Sequence, residues 1–152
     1  MQAVLIQAKC LSCNTDNRMM ISAKNSTPPK CGSCGRALFA KFAVVMGYVY
    51  ILSNAGMPNL LKIGQTSGSI QRRVDQLSAP TSVPNPFVIE AYFVSQHPAE
   101  DEKRLHAALA NHRRPGKEFF DLALDSALAH GKEVLGKKAQ YIRNLHGPFK
   151  EP

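Results

Sequence analysis

All four cysteines of this 152-residue chain lie in its first 36 positions, as the pairs Cys10-Leu-Ser-Cys13 and Cys31-Gly-Ser-Cys34 with 17 residues between them. Two cysteines at this spacing turn both sulfurs toward one ion, and a second pair completes a tetrahedron. The spacing therefore predicts a structural Zn2+ held by Cys10, Cys13, Cys31 and Cys34. Gly32 and Gly35 supply the loose backbone that such knuckles need. Two disulfides are the alternative, and a cytosolic setting disfavours them. So short a segment builds little core of its own, which makes the metal its staple. With four protein ligands the ion keeps no open position, and no catalysis is expected of it.

Lys9, Arg18, Lys24, Lys30 and Arg36 give this predicted ribbon a basic surface. It suits phosphate contacts, and it suits docking on a protein partner equally well. Over the whole chain 19 Lys and Arg face 11 Asp and Glu, a formal charge of +8. Four thiolates around zinc reduce this to roughly +6. The excess favours a polyanionic partner, because neutralised phosphates release counterions. The longest apolar run, Ala37 to Leu52, is broken by Lys41 and Gly47 and is too short to span a bilayer. No cleavable leader is recognisable at the start. A cytoplasmic protein without a membrane partner is expected.

Three segments follow from the change of composition: 1–45 as ribbon and linker, 46–125 as the main domain, and 126–152 as a helical extension. Ala37 to Val45 either closes the ribbon or leads into the main domain. Tyr48 to Leu52 and Leu60 to Thr66 read as strands, and the Asn-, Gly- and Pro-containing link between them predicts an antiparallel hairpin. Ile70 to Leu77 has helical spacing, and Phe87 to Val94 is a third strand. Ala99 to Arg113 reads as an amphipathic helix, begun by Pro98 and acids at its positive end. Glu118 to Leu122 is short and extended. Helix resumes at Asp125, interrupted by Gly131 and Gly136. The fold class is α+β, a small sheet with flanking helices.

Side chains alternate along strands, so Val49, Ile51, Leu61 and Ile63 form one apolar set that must meet the core. Tyr48, Tyr50 and Lys62 then point together toward the opposite surface. Ile70, Val74 and Leu77 form the buried stripe of the next helix. Arg73 sits on that stripe beside the sheet, where an arginine needs an anionic partner from protein or ligand.

Tyr48-Val49-Tyr50, eleven residues, Lys62-Ile63-Gly64, and Arg73 nine residues beyond the glycine together resemble the signature of the GIY-YIG nucleases. Leu105-His106 and Lys117-Glu118-Phe119-Phe120 resemble a subgroup known from phage proteins and a fungal meiotically up-regulated protein. The likeness runs from Gly47 to Leu122. It implies a three-stranded antiparallel sheet flanked by helices and Mg2+- or Mn2+-dependent cleavage of phosphodiester bonds, DNA being the expected substrate. By position it makes Tyr50 the proton acceptor, Arg73 the scissile-phosphate ligand and Glu118 the sole ligand of the catalytic metal. His106 matches a supporting helix histidine, with Tyr48 and Gly64 also supporting. Tyr48 stands where the family name has glycine, and Lys62 where it has the second tyrosine. Leu77 replaces a histidine of other branches.

This chemistry is sensible in its own terms. A free phenol titrates near pH 10, so Tyr50 is a weak base unless a cation such as Lys62 favours its phenolate. One carboxylate suits one Mg2+, which completes its shell with water and phosphate oxygens. The basic run His112-Arg113-Arg114 with Lys117 is either nucleic-acid-facing or a solvated helix end. Two other functions stay open: a catalytically idle nucleic-acid-binding module, and a zinc-ribbon adaptor for protein partners.

Overall fold

The computed structural model describes residues 3–22, 27–39 and 45–152. Lys24 and most of the link over 37–45 lie outside them. The chain divides into two compact units, Met1–Val45 and Met46–Pro152.

In the first unit β1 (Ala3–Lys9) and β2 (Asp16–Ser22) form an antiparallel hairpin. The first cysteine pair makes its turn. The Cys10 amide donates to the Thr15 carbonyl at 2.9 Å and the Asn14 amide to the Cys10 carbonyl at 2.8 Å. The second pair repeats the pattern, with Cys31 amide to Arg36 carbonyl at 2.8 Å and Gly35 amide to Cys31 carbonyl at 2.9 Å. In each knuckle the residue after the second cysteine is left-handed: Asn14 at φ 59° and Gly35 at φ 70°. The freedom expected at Gly32 is thus taken at Asn14, a residue type that tolerates this region. Cys10, Asn17, Ile21 and Cys31 of this unit are buried.

The second unit is an antiparallel sheet of five strands in the order β6-β4-β3-β5-β7. Its centre is the three strands that the sequence predicts: β3 (Gly47–Asn54), β4 (Leu60–Thr66) and β5 (Phe87–Ser95). The short strands β6 (Phe119–Asp121) and β7 (Tyr141–Ile142) extend it at either edge. Helices α1 (Ile70–Ser78), α2 (Pro98–Ala108), α3 (Leu124–Leu135) and α4 (Arg143–His146) complete the unit, with a 3-10 turn at Ala110–His112. No helix among the described residues is long and apolar enough to cross a membrane.

Val49, Ile51, Leu61, Ile63, Ala91 and Phe93 cluster with Leu105 and Leu109 of α2 and with Ala127 and Leu135 of α3. This is the apolar set expected from alternation. The opposite face, expected to be a surface, is a second core: Tyr50, Leu52 and Ile89 pack with Ile70 and Val74 of α1 and with Tyr141. The cause lies in the chain's last third. Tyr141 stacks on Tyr92 at 5.8 Å between ring centroids, and Phe149 closes edge-on against both. Residues 126–152 therefore supply core side chains to the second unit. Gly131 does not interrupt α3. A Cβ there would meet the Phe93 ring at 2.5 Å, so the glycine lets helix and sheet approach. Gly136, at φ 67°, is the left-handed residue that ends the helix.

Candidate functional site

The site begins where β6 stops. Strand β6 pairs with β4 only over Leu60, Leu61 and Lys62. One residue further the Ile63 amide is still met by the Glu118 carbonyl at 3.2 Å. In an antiparallel ladder the carbonyl of Ile63 points the same way as its amide. No strand remains there to satisfy it, and His106 Nε2 takes the place at 2.9 Å. A carbonyl only accepts, so the bond fixes the proton on Nε2. Leu105 and Leu109 anchor α2 in the core, which turns His106 to this edge with its ring 4.9 Å from that of Phe120. Burial, first of all, lowers the His106 pKa and favours the neutral ring.

Tyr50 reaches the same edge from the adjacent strand. Its register partner is Gly64. A Cβ on residue 64 would stand 2.6 Å from the Tyr50 hydroxyl and 2.8 Å from its ring, so the absent side chain is the space in which the phenol lies. Only 1% of Tyr50 is exposed, and burial pushes its pKa above the ordinary 10. The Arg73 guanidinium works against that by hydrogen bonding and by charge, while Glu118 and Glu102 reinforce it. The cation at the phenol is therefore Arg73. Lys62, expected in that role, pairs in register with Leu52 on the same face and is engaged by Glu118 instead. Its ammonium lies 2.6 Å from Glu118 Oε2 and 5.2 Å from the centre of the Phe119 ring. Burial by itself would raise the Glu118 carboxyl, but the Lys62 hydrogen bond and charge, then His106 and Arg73, hold it below the usual value.

Arg73 departs from expectation in another respect. Ile70 and Val74 of α1 are buried, yet Arg73 is exposed. It sits at the margin of the helix stripe, and a long side chain there keeps its charged head in water. Among the described residues it forms no ion pair with a carboxylate. Asp101, on the neighbouring helix, is engaged by Ser95, Arg104 and Lys137. Tyr48 stands apart from this cluster. It meets Tyr92 edge-on at 5.4 Å, and burial and then Glu151 raise its pKa.

One member of the cleft was not among the site residues expected from sequence. Glu102, one helical turn before His106, places Oε1 4.0 Å from His106 Nε2 with only 18% of its side chain exposed. Burial and then the neighbouring Glu118 raise its pKa, while Lys62, Arg113 and Arg73 pull the other way. The Glu102–His106 spacing is visible in sequence, where it reads only as a helix pair. The edge of β4 thus gathers a phenol, a guanidinium, an ammonium, an imidazole and two carboxylates. Glu118 offers a hard carboxylate oxygen, Oε1, that makes no hydrogen bond among the described residues.

The four cysteines form the other cluster. Their sulfurs all lie within 4.8 Å of one another, close enough to hold a metal such as zinc. Cys10 to Cys34 is 3.7 Å and Cys13 to Cys31 is 3.6 Å. A tetrahedron with Zn–S bonds of about 2.3 Å has edges of about 3.8 Å, close to these two separations. The Cys34 and Ser33 amides lower the Cys31 thiol to about 6, and the Ser12 and Cys13 amides lower that of Cys10. Asn17, buried between the knuckles, accepts from the Gly32 amide at 3.0 Å and donates to the Thr15 carbonyl at 2.9 Å and the Cys31 sulfur at 3.7 Å.

Nothing among curated proteins or solved structures matches the chain. A family model does: the T5orf172 domain, a domain related to GIY-YIG-like folds, matches residues 47–135. That stretch holds β3 through α3 with every residue of the cleft, and it exceeds half of the sequence. The chain belongs to the T5orf172 domain family.

Proposed function

We propose that the protein is a divalent-metal-dependent endonuclease of the GIY-YIG type, in the subgroup with a Lys-Ile-Gly second motif, acting on DNA. One observation carries this: Tyr50, lying against Gly64 of β4, and Glu118, held by Lys62 of the same strand at 2.6 Å, meet at the open end of β4, with Arg73 near enough to bias the titration of both. Glu118 would hold Mg2+ or Mn2+, which supplies charge stabilisation at the phosphate and the leaving oxygen. Arg73, exposed and without a carboxylate partner among the described residues, binds the scissile phosphate through its planar fork. Tyr50 accepts the proton of the attacking water, and its base form is favoured by Arg73. Lys62 fixes the Glu118 carboxylate. His106, neutral and pinned to the Ile63 carbonyl, holds the α2 side of the cleft in place. The four-cysteine unit is a zinc ribbon that engages the substrate or a protein partner.

A catalytically idle nucleic-acid-binding module is the second reading. It is favoured by the 2.6 Å Lys62–Glu118 pair, which already neutralises the carboxylate a metal needs. Supercoiled plasmid with Mg2+ or Mn2+ separates the two, with Tyr50→Phe and Glu118→Ala as controls. Nicking that both substitutions abolish supports the nuclease. Salt-sensitive DNA retention without nicking by the unmutated protein supports the idle module.

A further inference from the structure

The basic run between α2 and β6 reads in sequence as one patch, but the structure separates its members. Arg114 donates to Asp121 Oδ2 at 2.9 Å, so its charge is already balanced. His112 Nδ1 lies 3.2 Å from the Asp121 carbonyl oxygen. Arg113 differs from both. Its Nε donates to the Lys117 carbonyl at 2.7 Å, and its guanidinium carbon lies 6.0 Å from the centre of the Phe120 ring. Its backbone bridges to Phe120 as well. Among the described residues it forms no ion pair with a carboxylate. Its charge nevertheless reaches the cleft, acting on both Glu102 and His106.

An exposed arginine usually gives up side-chain entropy to hold a ligand. Here the Nε tether and the Phe120 ring have already taken much of that freedom. The two terminal amino groups stay available, in the fork geometry that suits phosphate. The position completes the case. Helix α1, carrying Arg73, packs on the Tyr50 face of the sheet, whereas α2 packs on the other. Arg113 lies beyond α2 but over Phe120, which packs with Leu105 and Leu109 on the α2 face, so Arg73 and Arg113 flank the end of β4 from opposite faces.

We infer that Arg113 is a second phosphate ligand, gripping a backbone phosphate next to the scissile one as the strand crosses the edge of β4. This rests on the nucleic-acid reading above and adds a positioning residue to it. Binding of the full chain to a fluorescein-labelled 20-base-pair duplex, followed by anisotropy across a salt series with Ca2+ as the divalent ion, tests it. Each phosphate contact in duplex DNA contributes about 0.9 to the slope of log K against log salt. Arg113→Gln should weaken binding several-fold and lower the slope by about one, whereas Arg114→Gln should leave the slope unchanged. Should Arg113→Gln melt early, Arg113→Lys decides: it keeps the charge and loses the tether, so the slope stays while affinity drops. An unaltered slope in a folded Arg113→Gln, equal effects at 113 and 114, or wild-type affinity in Arg113→Lys overturns the assignment, as does a failure of the unmutated chain to bind the duplex. A chain that binds with the expected slopes yet never nicks plasmid loses the catalytic reading and keeps this one.

Discussion

The two units solve the same problem, gathering charge-bearing groups from distant parts of a chain, by opposite means. The cysteine cluster collects four identical ligands whose mutual repulsion as thiolates only a cation can offset, and little else holds that unit together. The cleft at the end of β4 collects groups of both signs that partly neutralise one another, on a sheet secured by apolar cores on both faces. In the first unit a bound metal would be part of the fold. In the second the apolar cores on both faces of the sheet hold the charged groups in place.

Metal removal gives the largest test of that contrast. A structural zinc contributes about 10 kcal/mol or more to the folding of a small domain. A strong chelator, or Cys31→Ser, should collapse the amide dispersion of β1 and β2 in a two-dimensional NMR spectrum. The signals of the five-stranded sheet, whose cores contain no cysteine, should keep their folded pattern. Full dispersion of the hairpin in metal-free protein would break the comparison.

The next effect belongs to the cleft alone. Tyr50 titrates above 10 because burial outweighs Arg73. Below that value the phenolate fraction grows about tenfold per pH unit. If the phenolate is the base, kcat/KM for nicking should climb by about a hundredfold from pH 7 to pH 9 without a plateau. A flat profile over that range would remove Tyr50 from the role.

Much of this was legible in the sequence, and the exceptions share a cause. The cysteine spacing, the hairpin, α1 and the start of α2 are local patterns and stand where the sequence places them, whereas α2 ends at Ala108 and gives way to a 3-10 turn at Ala110–His112 instead of running to Arg113. The exposed tyrosine face was misjudged because its cover, Tyr141 and Phe149, comes from about 90 residues further along. Gly131 read as a breaker because nothing local reveals the Phe93 ring against it. Glu102 reads in sequence only as a helix partner of His106, because its place in the cleft depends on where β6 ends. Lys62 was placed on the correct face, yet the reach of a flexible side chain, toward Glu118 and not Tyr50, is set by tertiary contacts.

Gly64 offers an intermediate test. Gly64→Ala sets a methyl 2.6 Å from the Tyr50 hydroxyl and 2.8 Å from its ring. The tyrosine is enclosed and has little room to yield, so about 1–3 kcal/mol of stability should be lost. Nicking should fall further than Tm suggests, because the phenol is driven from the cleft. Denaturant melts beside plasmid assays would show this. A variant that melts and nicks like wild type would mean the ring does not depend on that space.

The smallest effect carries the sharpest sign. Glu118 titrates below the ordinary 4.5, where Lys62 outweighs its burial, so its contribution to stability is present above 4.5 and lost as pH falls through the folded value. Glu102 titrates above 4.5, chiefly because it is buried, so its contribution is full below 4.5 and lost as pH rises through the folded value. At pH 7 Glu118→Gln should therefore lower Tm, and Glu102→Gln should raise it, by a few degrees at most because both carboxyls retain some solvent. Below both folded values the variants should converge on wild type, since every carboxyl is then protonated. A Glu102→Gln protein that melts below wild type at pH 7 would show that this carboxylate secures the fold. Gained stability with lost nicking would instead mark it as charge that the second unit carries for its chemistry, which the cysteine unit cannot do without its ion.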